Sequence, residues 1–416
     1  MNWYKQFDWP LLICYMLLSV IGLTAIYSAT QGPVSDYLPD YIQGNFKNQM
    51  SWIFLSLLLL ISVQFTTPMT FQQISYVFYA GCLIIGILTI FMGVEVGGAR
   101  GWFVIGGLRI QISEMMKLAT VLAVANYLTS RRNISAERFR PALIVVLLML
   151  LPAGIIVLQN DTGTALIIIA LIPVMLFWSG LPHGISLFMI TPALVAYFTI
   201  LNWQWGIITA LILSVVLFFV HRRPGMPLAS FIVGLFIVIG IQVALHQILQ
   251  PYQQARIEAF VNPAIDPHGA GWNVIQAKTA IGSGGMFGKG FMEGTQTQLR
   301  FLPEQWTDFI FCVIGEEFGF LGAGAVLFLL GFLVLRLLSN AADHKHPFAQ
   351  LVMVGVAAIF FIQIFINIGS ATGLMPVIGL PLPLLSYGGS SFMSCTLMIA
   401  ICLNLHLYRR QFSIYA

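Results

Sequence analysis

Residues 165–178 read Ala165-Leu166-Ile167-Ile168-Ile169-Ala170-Leu171-Ile172-Pro173-Val174-Met175-Leu176-Phe177-Trp178, apolar from end to end. A strand of a membrane barrel would alternate polar and apolar residues over segments of about ten, and nothing in this run alternates. The rest of the chain reads the same way. Of its 416 residues 58% are hydrophobic and 8% are charged, with a mean hydropathy of +0.89; an ordinary soluble domain carries about 25% charged residues. Too few polar side chains exist to cover a globule of this size, so lipid must solvate the surface. The 38 Gly, 19 Pro and 32 Phe scattered through the apolar runs fit helices in a bilayer, where Gly and Pro are commoner than in soluble helices. The expected fold is an all-α polytopic membrane protein, a single transmembrane domain over residues 1–416.

With about 20 apolar residues taken as one crossing, helices are predicted near 10–29, 50–66, 71–93, 113–130, 141–158, 164–180, 184–201, 204–220, 228–249, 309–336, 348–371 and 386–408. These are twelve transmembrane helices, an even number that puts both termini on one side. The run from Leu11 to Ala29 is long for the apolar part of a signal peptide, and no small-x-small site clearly closes it. It reads as the first membrane helix. With the N-terminus inside, the inner segments collect Lys5, Arg131, Arg132, Arg138, Arg140, Arg222, Arg223, Arg336, Lys345, Arg409 and Arg410, eleven of the nineteen bases. The positive-inside rule then makes both termini cytoplasmic. Of the fifteen acids only Asp8, Glu137 and Asp343 fall inside, so the chemistry is expected to face outward. The net charge of +4 is dispersed, with no basic patch interleaved with aromatics, which gives no reason to expect a nucleic-acid partner. Cys14, Cys82, Cys312, Cys395 and Cys402 lie in apolar stretches without paired spacing and read as core residues. The chain holds no fixed-period repeat and no low-complexity segment.

The longest hydrophilic stretch, 250–307, is an extracytoplasmic loop before the third-last helix, and a structureless loop of that length is usually functional. It reads Asn262-Pro263-Ala264-Ile265-Asp266-Pro267-His268-Gly269-Ala270-Gly271, then Lys278, Gly282-Ser283-Gly284-Gly285, Gly288-Lys289-Gly290 and Gly294-Thr295-Gln296. A glycine-rich backbone turns its amides toward an anion, and Lys278 and Lys289 are point charges suited to phosphate. With Asp266 as general base, this combination suits transfer chemistry on a phosphorylated outer-leaflet molecule. It equally suits a compact loop with a turn at Asp266-Pro267.

Further candidates sit at helix ends. Arg100, Arg109, Gln111 and Ser113 lead into Glu114 and Lys117, which share a helix face. Ionisable residues within a membrane helix face a bundle interior or a wet cavity, so this face is expected to line a cavity open outward; alternatively Ser113 caps the helix and Lys117 snorkels. Asp161 and Asp308 each read as a helix N-cap. Glu316 and Glu317 lie roughly 12 Å deeper than Asp308, and one of them should meet a basic or polar partner, with Lys117 and Arg100 as candidates. Met375 to Ser391, rich in Pro and Gly, is expected as irregular backbone lining the outward cavity, or as a plain loop. Trp3, Trp9, Trp203, Trp205 and Trp306 read as interfacial anchors.

Together these motifs resemble the SEDS (shape, elongation, division and sporulation) family of bacterial membrane proteins, over nearly the whole chain. The resemblance is densest at Asp266-Pro267-x-Gly269-Ala270-Gly271, Ala280 to Gly285, Gly294-Thr295-Gln296-x-Gln298-Leu299, Phe301 to Phe311, Gly379-Leu380-Pro381-Leu382-Pro383 and Ser386-Tyr387-Gly388-Gly389-Ser390. The Gly294-Thr295-Gln296 element is similar to the elongation branch of the family rather than the division branch. The chain departs from the family at Arg100-Gly101, where two adjacent arginines are usual, and at Gln111-Ile112-Ser113-Glu114, where the family has Gln-Pro-Ser-Glu.

The resemblance implies a peptidoglycan glycosyltransferase of the inner (cytoplasmic) membrane, polymerising lipid II for cell elongation and rod shape. Transfer would be inverting, with release of undecaprenyl pyrophosphate. It also implies a class B penicillin-binding protein as partner. Asp266 matches the family's essential loop aspartate, which makes it the expected catalytic residue, while Glu114, Lys117 and Asp161 fall on family motif positions and join Arg109, Lys278 and Lys289 as expected substrate-binding residues. A divalent cation at the pyrophosphate is compatible with this chemistry, with no ligand set readable in the chain. The family core has ten helices, so twelve implies one extra hairpin between Leu181 and Leu249. Competing readings are a lipid II flippase, which would place its charged site near the midplane between repeated halves, and a non-catalytic scaffold for the crosslinking partner.

Overall fold

A peptide group in hydrocarbon has no water to bond, so each apolar run is driven into a helix whose N–H and C=O groups satisfy one another. The computed structural model describes residues 6–32, 40–96, 98–105, 108–130, 139–221, 225–249, 251–263 and 270–412. Its helices are α1 Trp9–Thr30, α2 Asn45–Val63, α3 Pro68–Met92, α4 Ile112–Thr129, α5 Phe139–Leu158, α6 Thr162–Trp178, α7 His183–Leu201, α8 Trp203–His221 and α9 Gly225–Val243. After α10 Pro251–Val261 and α11 Ala270–Ser283 in the outer segment come α12 Ile310–Asp343, α13 Pro347–Thr372 and α14 Gly389–Leu407.

Ten of these helices are long and apolar enough to cross a membrane. The other two expected crossings are α6, an apolar helix of 17 residues, and α4, of 18 residues with Glu114 and Lys117 near its start. The protein is a multi-pass membrane protein. Pro68 and Pro347 stand at the first turns of α3 and α13, where a missing N–H breaks no helix bond. At the basic end of the bundle, Asp8 caps α1 and accepts both Arg336 Nε and Asn340 Nδ2 from α12.

Of the spans, α13 and α14 are the most deeply buried, and α4 packs against α3, α5, α6, α13 and α14. Helices α7, α8 and α9 pack on one another around a small separate core of Val195, Ala210 and Val238. This is the stretch expected to hold the extra hairpin. At its end α9 passes into a π-helical turn, Ala244–Ile248, instead of continuing as α-helix.

Two features depart from the all-helical, loop-connected expectation. Between α3 and α4 lies a three-stranded antiparallel sheet, β1 Val94–Val96, β2 Ala99–Ile105 and β3 Leu108–Gln111, with Trp102 opposite Gln111 and Phe103 opposite Ile110. The β-branched and aromatic run Trp102-Phe103-Val104-Ile105 favours a pleated, half-buried surface. The outer segment is not structureless either, since it holds α10, α11 and the turn Thr295–Gln298.

That outer segment is built into a transmembrane helix. Within α12, Gly319 takes φ 66° and ψ −162°, a region essentially reserved for glycine. The helix bonds that would run from Phe320 and Leu321 to Glu316 and Glu317 are exchanged for bonds to the loop. The carbonyls of Glu316 and Glu317 accept the N–H of Lys289 (3.0 Å) and Gly290 (3.1 Å), while Phe320 and Leu321 donate to the carbonyls of Gly285 (2.8 Å) and Met286 (3.2 Å). A second irregular segment precedes α14. Its backbone at Leu384–Leu385 presses on Gly22 of α1, where a Cβ would lie 2.7 Å from Leu385 Cα. Gly22 is eight residues from the end of α1, so this contact lies about 12 Å below that end at 1.5 Å per residue.

Replacing Gly319 with Ala would place a Cβ 2.3 Å from the Gly288 backbone nitrogen. The expected loss is about 1–3 kcal/mol for the forbidden backbone region alone. Gly324→Ala, in the same helix with no heavy atom within 4 Å of its Cβ, is expected to leave stability unchanged or slightly raised. Thermal unfolding of the two variants in detergent measures the contrast.

Candidate functional site

The outer ends of α4 and α6 are joined through one carboxylate. Asp161 caps α6, its Oδ1 accepting the Thr164 N–H at 3.1 Å, as a residue at this position should. Its Oδ2 accepts Ser113 Oγ at 2.8 Å and Gln111 Nε2 at 2.9 Å. Ser113 therefore serves the neighbouring helix instead of capping its own, and the N-cap of α4 is Gln111, whose side chain makes no capping bond and also turns to Asp161. The sheet is tied in beside them: Gln159 accepts the Arg100 N–H at its carbonyl and donates from Nε2 to the Gly86 carbonyl and Thr89 Oγ1, both at 2.7 Å.

Glu114 and Lys117 form the expected i,i+3 pair, with Nζ 3.0 Å from the carboxylate. The expected opening to outer water is not there. The two side chains are 2% and 0% exposed, closed in beside α14, whose Ser394 donates to the Glu114 carbonyl at 3.0 Å. Drying two charges is costly, and only their mutual attraction and hydrogen bonds offset it. The pair thus tethers charge inside the bundle without presenting it to solvent.

Three other cations of the outer side, Arg109, Lys278 and Arg100, are solvent-facing. Arg109 is on β3 and exposed. Burial raises the Tyr387 phenol above its ordinary pKa, against the lowering effects of a hydrogen bond with Asn48 and of Arg109, so it remains a neutral hydrogen-bonding group. Lys278 on α11 sits at the C-terminal end of α13, its Nζ 2.5 Å from where a Gly373 Cβ would be, and a helix C-terminus favours a cation. Arg100 pairs with Glu95 in a solvent-exposed bridge of 3.0 Å, worth at most about 1 kcal/mol.

Lys289 is engaged, donating to Glu316 Oε1 at 2.8 Å and to Thr295 Oγ1 at 2.6 Å. Glu316 thus meets a basic partner as expected, but that partner is Lys289 and neither of the candidates Lys117 and Arg100; Glu317 accepts Ser28 Oγ of α1 and Gln298 Nε2 of the loop. Asp308 does not cap α12, whose N-cap is Phe309. The Asp308 carbonyl accepts Asn367 Nδ2 at 2.9 Å, and the same amide reaches the Leu380 carbonyl at 2.8 Å. Asp266 falls between α10 and α11, outside the described residues.

The later part of the irregular segment before α14, residues 380–386, is packed inside the protein, whereas residues 374–379 stay partly exposed. Leu380, Leu382, Leu384, Leu385 and Ser386 are buried. Ser386 accepts the Leu382 N–H and donates to the Thr307 carbonyl, while the Tyr387 N–H donates to the Trp306 carbonyl. Asn367, Ser386, Gln159 and Gln298 were not singled out as site residues. The available signal was an isolated amide or hydroxyl within or beside an apolar helix, which must find a partner when buried. Among the described residues no three His, Cys, Asp or Glu side chains converge as a metal site.

These features define a polytopic membrane protein in which the described part of the outer segment, 270–307, is seated on the ends of the helices. A model of the cell cycle protein family of FtsW, RodA and SpoVE matches residues 8–208 and 186–411, and the chain belongs to that family. It is 34% identical to the peptidoglycan glycosyltransferase RodA of Treponema pallidum, over 98% of each chain. A chain from a structure on the coordination of polymerization and crosslinking by a peptidoglycan synthase complex superposes with a TM-score of 0.71 at 29% identity, covering 97% of this chain and 99% of that one. The crystal structure of the Thermus thermophilus rod shape determining protein RodA matches with a TM-score of 0.63 at 28% identity, over 97% of each chain.

The buried pair makes a stability prediction. Lys117→Met strands Glu114 and is expected to cost about 3–5 kcal/mol, whereas the double change Glu114→Gln with Lys117→Met leaves no buried charge and recovers most of it. Unfolding of the two variants in detergent reads the difference; equal losses would show that the pair is not what the site depends on.

Proposed function

We propose that this chain polymerises lipid II into glycan strands on the outer face of the inner membrane, for cell elongation and rod shape. The observation that carries this reading is the end-to-end similarity to a RodA named as a peptidoglycan glycosyltransferase. Asp266 is the general base. It takes the proton of the acceptor sugar's 4-hydroxyl, whose oxygen attacks the anomeric carbon of the donor. The new glycosidic bond forms on one face as the bond to the pyrophosphate breaks on the other, so the configuration inverts. Undecaprenyl pyrophosphate leaves with the bonding pair.

Lys278, Lys289 and Arg109 stabilise the negative charge that grows on the leaving group. Asp161, which joins β3, α4 and α6, shapes the floor on which the substrate rests. Glu114 and Lys117 contribute from below by fixing α4 beneath that floor. The similarity to a chain of a peptidoglycan synthase complex supports a crosslinking partner, a class B penicillin-binding protein. A divalent cation held by the pyrophosphate itself is compatible with this chemistry.

Purified protein with its partner and lipid II in detergent is expected to yield glycan strands, and Asp266→Asn, with a wild-type unfolding profile, is expected to yield none. Polymerisation by that variant at the wild-type rate removes Asp266 as base. Transport of lipid II across vesicles without polymer under any partner condition replaces the enzyme with a flippase.

A further inference from the structure

One carboxylate on α12 gathers donors from three separate parts of the outer loop. Glu316 Oε1 accepts Lys289 Nζ at 2.8 Å, the Gln296 N–H at 2.9 Å, Ser283 Oγ at 3.2 Å and Thr295 Oγ1 at 3.3 Å, while Oε2 accepts the Thr297 N–H at 2.9 Å. Glu316 is fully buried. It stands at the first of the two carbonyls released by the break at Gly319, so its backbone and side chain hold the same loop from two directions. Ser283 is the last residue of α11, the helix that carries Lys278 and begins at Ala270, shortly after Asp266.

We propose that Glu316 is a positioning residue for the transfer reaction: its carboxylate sets where the outer loop, and through α11 the groups it carries, sits on the bundle. The functional half rests on the reading of that loop as the seat of glycosyl transfer; the structural half does not. Four of the five donors meet a single oxygen, an arrangement that only an anionic, acceptor-only group satisfies. An amide in the same space keeps one acceptor oxygen and turns N–H groups toward the backbone donors of Gln296 or Thr297. The neighbouring Glu317 holds the following turn to α1 through Gln298 and Ser28, so the loop has a second attachment and the bundle does not depend on Glu316 alone.

The test compares two variants that separate charge from packing. Glu316→Gln keeps the volume and loses the charge, whereas Glu316→Asp keeps the charge and loses one methylene. Hydrogen exchange at residues 284–298 and lipid II polymerisation with the partner are measured on the full protein in detergent. Loss of one charged hydrogen-bond hub is expected to speed exchange in 284–298 and to lower kcat/KM roughly 10- to 100-fold in Glu316→Gln. Glu316→Asp should retain more of both, and exchange in α13 and α14 should be unchanged in either. A Gln variant that equals or exceeds the Asp variant overturns the proposal, because packing alone would then explain the residue. Faster exchange throughout α13 and α14 overturns it as well, since the loss would be global. If the wild-type protein makes no polymer, the glycosyltransfer reading fails, while the exchange contrast between Gln and Asp still decides whether the carboxylate positions the loop.

Discussion

Within a bilayer a broken helix survives only if its released peptide groups find new partners, and the outer half of this molecule is arranged around that requirement. At Gly319 two helix bonds are given up and four loop bonds replace them, with Lys289, Gly290, Gly285 and Met286 as the partners. The exchange is mutual. A straight α12 would leave the loop's own N–H and C=O groups unbonded against apolar helices, and a displaced loop would leave those of α12 so. The conformation of 285–290 and the break in the helix are therefore one structural event. The same rule governs the second irregular segment, where Asn367 and Ser386 supply the bonds that Leu380, Leu382 and Thr307 cannot obtain from a helix.

Helical spans were legible in the sequence because their signal is additive over about 20 residues: the expected 184–201 and 348–371 meet helices at 183–201 and 347–372. What stayed hidden depends on pairing between distant residues. The sheet was missed because β2 is seven residues long, includes Gly101, and is defined by its register with β3. The break in α12 is not legible because Gly315, Gly319, Gly322 and Gly324 all sit in one helix-length run, and only the approach of Gly288 selects Gly319. Spacing gave the Glu114 and Lys117 pair; it could not say that neighbouring helices close over it.

The acids of the outer side divide by what they hold. Asp161 and Glu316 each accept from several chain segments, and each sits where a helix end or a helix break leaves the backbone exposed to its neighbours. A carboxylate suits such places because it accepts in several directions at once and the local N–H groups favour its charge. These two acids are thus explained by the architecture before any substrate is considered, and neither needs to touch one to affect it.

The cations divide in the complementary way, and this bears on how an anionic substrate would be received. Lys117 and Lys289 lie within 4 Å of a carboxylate, at Glu114 and Glu316. Arg109 and Lys278 are exposed, and among the described residues neither makes such a bridge. A cation already compensated by a buried anion adds little net field at the surface, whereas one facing the substrate space without a fixed counter-charge attracts phosphate over roughly a Debye length. On the proposed reading, Arg109 and Lys278 would meet the pyrophosphate first. Lys289, only partly exposed and held by Glu316, would act over a shorter range, where a small change in the seating of the loop alters its distance to the leaving group most.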